Sequence, residues 1–423
     1  MRSLYLVAVA AIAAQASAVT NSTSKGALNG WYACYDYTFS DEEPSPGQDA
    51  ECATYSAPLC YPGICETPDN VDSTKVEIFV KRLLATSGNP DSASNVWLMQ
   101  GGPGAGSTQM ESSMVDLHQR LEGAVNVYTM DHRGTGRSTL FNCVAAQATT
   151  TGTPWGDDLI AAEVPTCARD LQFKYGEFAS FSVTSAATDL KTFISKYTNA
   201  EDTTTSWSPD TVMYMSDWDK TFGEIGDDFF ALCDEDKGCK THFATKKLND
   251  TVQGLLEGFD KDPNSTCATI IKKSASCKEF NLPNYDANPI MYKRDEYWNK
   301  SATIPSHASV LLLSGKLDPQ THHKYADALL LALNGKNKEL ISFDYAPHGM
   351  ISSTQMTAGD PSSPTCGVKL LESYVRNGGV LAKMGKSCVA QMPGFNLTVP
   401  LGYLHGLLGT DDAYEGVLKS RAQ

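Results

Sequence analysis

The chain has 423 residues, and its 34 Lys and Arg are outnumbered by 49 Asp and Glu, which gives a formal net charge of −15 at pH 7. That acidity argues against nucleic acid and against anionic membrane surfaces as binding partners. The length favours one large domain with an insertion, or two domains.

The first 18 residues predict a secretory signal. Arg2 precedes an apolar stretch from Leu4 to Ala14, and the small residues Ala16-Ser17-Ala18 follow. A basic start, a short apolar core and small residues before a cut site are typical of such signals, and the core is too short to span a bilayer. We therefore expect a secreted, extracellular protein without a membrane partner.

The cysteines and the glycosylation sequons agree with that destination. Twelve cysteines fit an oxidising compartment, and short spacings predict local disulfide bonds for Cys233–Cys239 and Cys267–Cys277. Cys366–Cys388 is a further candidate, although sequence alone does not fix connectivity. The cysteines form neither a Cys-x-x-Cys pair nor a zinc-type cluster, so we expect no metal and no cofactor. Five sequons begin at Asn21, Asn249, Asn264, Asn299 and Asn396.

The first half of the chain predicts strands alternating with helices. Residues 19–75 hold four cysteines and many turn-forming residues, which indicates a disulfide-tied lead-in. A half-alternating pattern predicts a strand at Val76–Lys81. Short apolar runs bounded by turns predict buried strands of a parallel sheet at Val96–Met99 and Val125–Met130. The segment between them, Met110–Leu121, predicts a helix.

The second half of the chain continues this alternation around an insertion. Apolar residues share one face of Ser185–Tyr197, which predicts a helix with Thr184 or Ser185 as its N-cap. Residues 206–300 are charged, aromatic and cysteine-bearing, and they indicate a mostly helical cap. The core would then comprise 76–205 and 301–423, an α/β fold with a mostly parallel sheet flanked by helices. The elements predicted after the cap are strands at Val310–Leu313 and Leu340–Tyr345 and helices at Lys324–Leu333 and Gly367–Lys383.

Three features predict the chemistry of a serine hydrolase. The turn Gly101-Gly102-Pro103-Gly104 follows a strand, and its backbone N–H groups could stabilise an oxyanion. Asp318 and His348 each follow an apolar strand, which places both at the carboxyl edge of the sheet. The acid precedes the base along the chain, as in α/β-hydrolases. His348 would take a proton from a nucleophile, and Asp318 would fix the tautomer of His348. Taken singly, each feature also has an ordinary role: a plain turn, a helix cap and a loop histidine.

Four motifs in the chain carry a further signal. They are Gln100-Gly101-Gly102-Pro103-Gly104, Asp131–Ser138, Leu313–Pro319 and His348-Gly349. Together they resemble the motifs of a known family, the prolyl iminopeptidase and tripeptidyl aminopeptidase group of α/β-hydrolase serine peptidases. The resemblance covers roughly residues 50–400, with one interruption. It implies an α/β-hydrolase fold, an ancestral hydrolysis of peptide or small amide substrates near a free N-terminus, and a mainly structural role for the second motif.

The interruption falls where that family carries its nucleophile. The motif Gly-x-Ser-x-Gly occurs nowhere in the chain. In this motif the serine lies on a sharp strand-to-helix turn, the nucleophile elbow, with a glycine two residues before it and another two residues after it. Ser216 follows a short apolar run, but Tyr214 and Trp218 occupy the two glycine positions. Their side chains should clash in so tight a turn. Eighteen positions (216 minus 198) separate Thr198 from Ser216, fewer than the ~30 residues of a βαβ unit. We therefore expect an absent nucleophile, an incomplete sheet and apolar sheet edges open to solvent.

Three functional hypotheses stay open at this point. The chain is a secreted serine peptidase-like hydrolase of aminopeptidase type that lost its nucleophile, through a missing exon or through gene decay. Alternatively, it is a non-catalytic secreted binding protein or decoy on a hydrolase fold, or an esterase or lipase on that fold. In the cap, Glu224, Asp227 and Asp228 could bind a substrate's α-amino group, although such a run is also typical of a solvated helix face. The sequence leaves the oligomeric state open.

Overall fold

The computed structural model describes residues 27–38, 50–71, 73–101, 104–143, 164–198, 217–243, 245–261, 295–297, 300–360, 362–399, 401–412 and 414. Its strands are β1 (Tyr32–Cys34), β2 (Ala50–Pro58), β3 (Lys75–Leu83), β4 (Ser94–Trp97), β5 (Val125–Met130), β6 (Val310–Gly315) and β7 (Lys338–Phe343). Its main helices are α1 (Glu111–Arg120), α2 (Val164–Tyr175), α3 (Val183–Tyr197), α4 (Asp217–Glu235), α5 (Lys237–His242), α6 (Leu248–Lys261), α7 (His323–Ala332), α8 (Met350–Ser353) and α9 (Cys366–Arg376).

The described strands form two separate sheets. Five strands make a mixed sheet in the order β1-β2-β3-β5-β4, in which β4 and β5 are parallel and the other pairs antiparallel. The chain passes through α1 between β4 and β5, as a parallel pair requires. Strands β6 and β7 form a parallel pair of their own, connected through α7. No described strand joins β4 to β6, as expected for an incomplete sheet.

The larger sheet is a layer between helices α3 and α1. Every residue of β5 is buried, and its side chains alternate between the two faces. Tyr128 and Met130 pack with Phe193 of α3 on one face. Val127 packs with Met114 of α1 on the other. A strand covered on both faces is mostly apolar, and the mostly apolar run Val125–Met130 predicted this position correctly. Its two polar residues, Asn126 and Thr129, are buried with hydrogen bonds to backbone groups of Ala85 and Leu98.

The smaller sheet is less well covered. Leu311 and Leu313 of β6 pack towards α8 and α9, and Leu312 packs towards α7. All three are nevertheless only partly buried, whereas a central parallel strand is normally covered on both faces. Helix α9 connects the two sheets, since Leu371 packs against the cluster that contains α1.

Most predicted elements are present within a few residues of their expected bounds, and two details differ. The N-cap of α3 is Ser182, whose Oγ accepts a hydrogen bond from the Ser185 N–H at 3.1 Å, so Thr184 and Ser185 lie inside the helix. The tail helix ends at Arg376, well before Lys383. It ends there because Gly378 and Gly379 follow with φ of 57° and 75°, which break the helix.

The disulfide bonds agree with the sequence analysis where the chain is described. Cys233–Cys239 and Cys366–Cys388 are bonded, which confirms both predictions. Cys267–Cys277 and the signal at residues 1–18 lie outside the described residues. Three other bonds are Cys34–Cys52, Cys60–Cys65 and Cys143–Cys167.

The residues predicted to form a cap are helical over 217–235, 237–242 and 248–261. The prediction of mostly helical structure therefore holds in these ranges.

No helix among the described residues has both the length and the apolar character needed to cross a bilayer.

Candidate active site

Asp318 and His348 come together at the carboxyl ends of β6 and β7. The Nδ1 of His348 lies 2.9 Å from Oδ2 and 3.2 Å from Oδ1 of Asp318. Asp318 is buried, whereas the side chain of His348 is 47% exposed. Because an ionised carboxylate only accepts hydrogen bonds, Nδ1 carries the proton and Nε2 is the nitrogen that can take one. A carboxylate that holds a histidine through Nδ1 and leaves Nε2 free for a proton is the geometry of the acid and base of a catalytic triad.

The turn after β6 holds the Asp318 carboxylate in place. The backbone N–H groups of Gln320 and Thr321 donate to Oδ1 at 2.9 and 2.8 Å, and the Thr321 hydroxyl donates to Oδ2 at 2.7 Å. The same hydroxyl lies 3.2 Å from Nδ1 of His348. Sequence reasoning missed Thr321, although a threonine three residues after an aspartate is a signal for such a turn.

Gly315 allows the loop that carries His348 to cross the end of β6. A Cβ at this position would lie 2.2 Å from the carbonyl oxygen of Ala346 and 2.7 Å from that of Pro347. The Leu317 N–H donates to the same Ala346 oxygen at 3.2 Å. The two turns that bear the acid and the base are therefore in backbone contact, and any side chain at Gly315 would separate them.

The predicted oxyanion loop is described at its two ends. Gly101 and Gly104 are placed, with a φ of 105° at Gly104 that favours glycine, while Gly102 and Pro103 lie outside the described residues. No atom of the described residues lies within 4 Å of a Cβ built at Gly101 or Gly104. A 3-10 turn at Ser107–Met110 leads from the loop into α1.

The segment Asp131–Ser138 braces both ends of this loop. The Nε2 of His132 lies 3.1 Å from the carbonyl oxygen of Gln100. At the other end, the Ser107 N–H donates to Oδ1 of Asp131 at 2.5 Å, and Arg137 donates to the Ser107 hydroxyl at 3.0 Å. The segment therefore positions the backbone of the glycine loop.

Asp131 is the centre of this brace. Its Oδ2 accepts from the N–H of Arg137 at 2.8 Å and from the Arg137 Nε at 3.0 Å. Burial by itself raises the pKa of Asp131, but the hydrogen bonds from Ser107 and Arg137 outweigh it and lower the pKa below its ordinary value of 3.8. The carboxylate is thus charged at neutral pH, and its contacts depend on that charge.

Arg133 belongs to a separate buried cluster. Its guanidinium forms two hydrogen bonds with Asp189 of α3, at 2.7 and 2.6 Å, and donates to the carbonyl oxygens of Pro58, Leu59 and Ser180. Both side chains are almost completely buried. Since every donor has an acceptor inside the protein, this ion pair ties α3 to the end of β2.

In the cap, the acidic residue Glu224 of α4 contacts the start of α7. Its Oε2 lies 2.6 Å from the Nζ of Lys324 and 3.3 Å from Nε2 of His322. Burial, and then the neighbouring His323 and Lys324, lower the pKa of His322, so its ring is neutral at pH 7. Glu224 therefore links the cap to the helix that follows Asp318. A substrate's α-amino group would have to compete with Lys324 for it.

Only some of the remaining candidate residues lie in the described part of the chain. Ser216 lies outside the described residues. Among those that are described, the hydrogen bonds of His348 go to Asp318 and Thr321. The sequon asparagines Asn249 and Asn396 are exposed, while Asn21, Asn264 and Asn299 lie outside the described residues. No three described His, Cys, Asp or Glu side chains are grouped so that they could hold a metal ion.

Comparisons with known proteins add little to this geometry. No family model and no curated protein matches the chain. The solved structures similar to it include acetyl xylan esterase 1 from Thermoanaerobacterium sp. JW/SL YS485, with 10% identity over 75% of this chain and 82% of that chain and a TM-score of 0.29. The esterase EaEST from Exiguobacterium antarcticum has 16% identity over 66% and 90%, with a TM-score of 0.25. TM-scores this low carry no argument about the chain.

The fold assignment depends instead on the chain's own features. A mixed sheet flanked by helices, a parallel crossover through α1, and a second parallel strand pair connected through α7 are features of an α/β fold. The predicted α/β class is therefore confirmed. The prediction of a mostly parallel sheet is wrong for the described strands, because the lead-in contributes β1 and β2 as antiparallel strands and because β3 pairs antiparallel with β5.

Proposed function

We propose that this chain is a secreted α/β-hydrolase of the serine aminopeptidase type, descended from an enzyme that cleaved peptide or small amide bonds near a free N-terminus. The observation that carries the proposal is the 2.9 Å contact between His348 Nδ1 and Asp318 Oδ2 at adjacent strand ends. Disulfide bonds in both halves of the chain support an oxidising, extracellular location.

In an active relative of this design, four groups would share the chemistry. A serine hydroxyl would attack the carbonyl carbon while His348 Nε2 takes its proton, and the backbone of the glycine loop would stabilise the resulting oxyanion. His348 would then return the proton to the leaving amine, and water would release the acyl group by the same steps. Asp318 would orient the ring and stabilise the imidazolium.

The chain as written lacks the first of these groups, so we propose that it does not turn over substrate. It has no Gly-x-Ser-x-Gly motif, and Ser216 has Tyr214 and Trp218 at the positions where the elbow needs glycine. Among the described residues, the Thr321 hydroxyl lies near His348, but it donates to Asp318 and contacts Nδ1, the wrong nitrogen for a nucleophile.

A fluorophosphonate probe tests this proposal, because it phosphonylates an activated serine and releases fluoride. We expect no covalent adduct by intact-mass spectrometry on the wild type, on Ser216→Ala or on His348→Ala, under conditions in which an active serine hydrolase is fully modified. An adduct on the wild type that both variants abolish would identify Ser216 as a working nucleophile and contradict the proposal. Aminoacyl-amide and ester substrates offered to such a protein would then separate a peptidase from an esterase.

A non-catalytic binding protein is the second candidate. It requires a ligand site that does not depend on a nucleophile, and a cavity beside the loop that leads to His348 supports this candidate.

A further inference from the structure

A cavity of about 420 Å³ lies at the carboxyl end of β7. Its walls come from the end of β7 and the following turn (342–346), from residues between 353 and 360, from the tail between 389 and 396, and from Tyr403. Ala346 is two residues before His348, yet neither Asp318 nor His348 lines the cavity. Its volume is in the range of pockets that bind small organic molecules.

Aromatic rings make up much of the mouth of the cavity. Tyr345 and Phe395 lie with ring centroids 5.6 Å apart, and Phe229 of the cap helix α4 contacts Phe395 at 6.2 Å. Tyr345 and Tyr403 are 44% and 43% exposed. Large aromatic side chains with this much open surface around a concavity indicate a binding site.

The charge of the described lining has one sign. It contains Asp344 and Asp360 and no Lys, Arg or His. Asp344 forms an ion pair with Lys316, which is outside the lining, at 2.7 Å. Asp360 forms no ion pair with a described residue and accepts hydrogen bonds from the N–H and hydroxyl of Ser362, at 2.9 and 2.6 Å. Those hydrogen bonds lower its pKa, so the carboxylate is charged at neutral pH.

We propose that this cavity binds a small organic cation with an apolar body, such as an arylalkyl amine. The ammonium group would pair with Asp360, and the faces of Tyr345, Phe395 and Tyr403 would cover the apolar body and attract the positive charge through cation–π contacts. Because the described lining contains no basic side chain, Asp360 has no cationic partner among the described residues. This inference does not depend on hydrolysis, because it uses neither His348 nor a nucleophile.

Two probes of matched size separate the charge from the shape of the ligand. Phenethylamine is a cation at pH 7, and 2-phenylethanol is a neutral molecule of similar shape. We expect titration calorimetry, or ligand-detected NMR if binding is weak, to show that the amine binds about tenfold more tightly than the alcohol. Asp360→Asn should remove most of this preference, because the amide keeps the Ser362 contacts but loses the charge. Phe395→Leu should weaken binding of the amine severalfold.

The control variant is Asp69→Asn, which removes an exposed carboxylate far outside the lining and should leave both affinities unchanged. Thermal melts establish that each variant is folded. Equal binding of the two probes, no binding of either, or a preference that survives Asp360→Asn would each overturn the proposal. An unchanged affinity for the amine in Phe395→Leu would place the amine elsewhere on the protein and overturn it as well.

Discussion

At the scale of single residues, Gly315 determines whether the acid and the base can meet. The position has room for hydrogen only, since a Cβ would lie 2.2 Å from the carbonyl oxygen of Ala346. We expect Gly315→Ala to push the His348 loop away from β6 and to destabilise the protein by about 1–3 kcal/mol. The measurement is the downfield proton resonance of His348 Nδ1 in NMR, which should disappear.

The matched control for this experiment is Gly101→Ala, where a Cβ meets nothing within 4 Å. It should leave the resonance and the unfolding midpoint close to those of the wild type. An unshifted Nδ1 resonance in Gly315→Ala would show that the two turns are held together by other contacts.

Asp131 provides a second prediction at this scale, one that depends on pH. Its folded-state pKa lies below the ordinary 3.8, so it contributes stability above pH 3.8, and that contribution is lost as the pH falls through the folded-state value. We expect Asp131→Asn to cost about 2 kcal/mol at pH 7, because the amide offers Arg137 no anion. The difference between wild type and variant should shrink below pH 3.8.

Urea unfolding at pH 7, 5, 3.5 and 2.5 measures this difference. Asp69→Asn, at an exposed position, should show no comparable dependence on pH. If the difference in the free energy of unfolding between wild type and Asp131→Asn stays constant down to pH 2.5, the charge of Asp131 does not stabilise its contacts with Ser107 and Arg137.

At the scale of elements, the Cys366–Cys388 bond anchors helix α9, which packs between the two sheets. Both cysteines are buried in the cluster that contains β7. Replacing both by alanine frees a loop with a sequence separation of 22 residues, and we expect a loss of about 3 kcal/mol in the free energy of unfolding. Removing Cys60–Cys65, with a separation of 5, should cost less, and an equal loss in the two double variants would contradict the loop-length argument.

Elements with a mostly apolar pattern could be predicted from the sequence, whereas most contacts between elements could not. Strand β5 is recognisable because both of its faces are buried, and the order of Asp318 and His348 at strand ends predicted their meeting. The sequence did not indicate that Asp131 holds Ser107 or that Gly315 meets Ala346. These contacts join segments whose approach is set by tertiary packing rather than by local pattern.

At the scale of the whole molecule, the separation of the two sheets is the central physical problem. Strand β4 ends one sheet, the partly buried β6 belongs to the other, and no described strand lies between them. Unpaired strand edges with apolar side chains promote association between chains. We therefore expect the chain as written to form oligomers or aggregates as its concentration rises, measured by light scattering after size-exclusion chromatography.

The origin of this gap can be tested through the transcript between Tyr197 and Thr211. If an exon is missing from the chain as written, sequencing the transcript will recover a segment of ~30 or more residues that carries Gly-x-Ser-x-Gly. A protein with that segment should be monomeric, should melt at a higher temperature because both sheet edges are paired, and should react with a fluorophosphonate at the new serine. A transcript that reads as the chain is written would assign the loss to gene decay instead. The opposite outcome is a chain as written that stays monomeric at every concentration and melts at the same temperature as the protein with the recovered segment. In that case the sheet edges are not open to solvent, and the inference that central strands are missing is wrong.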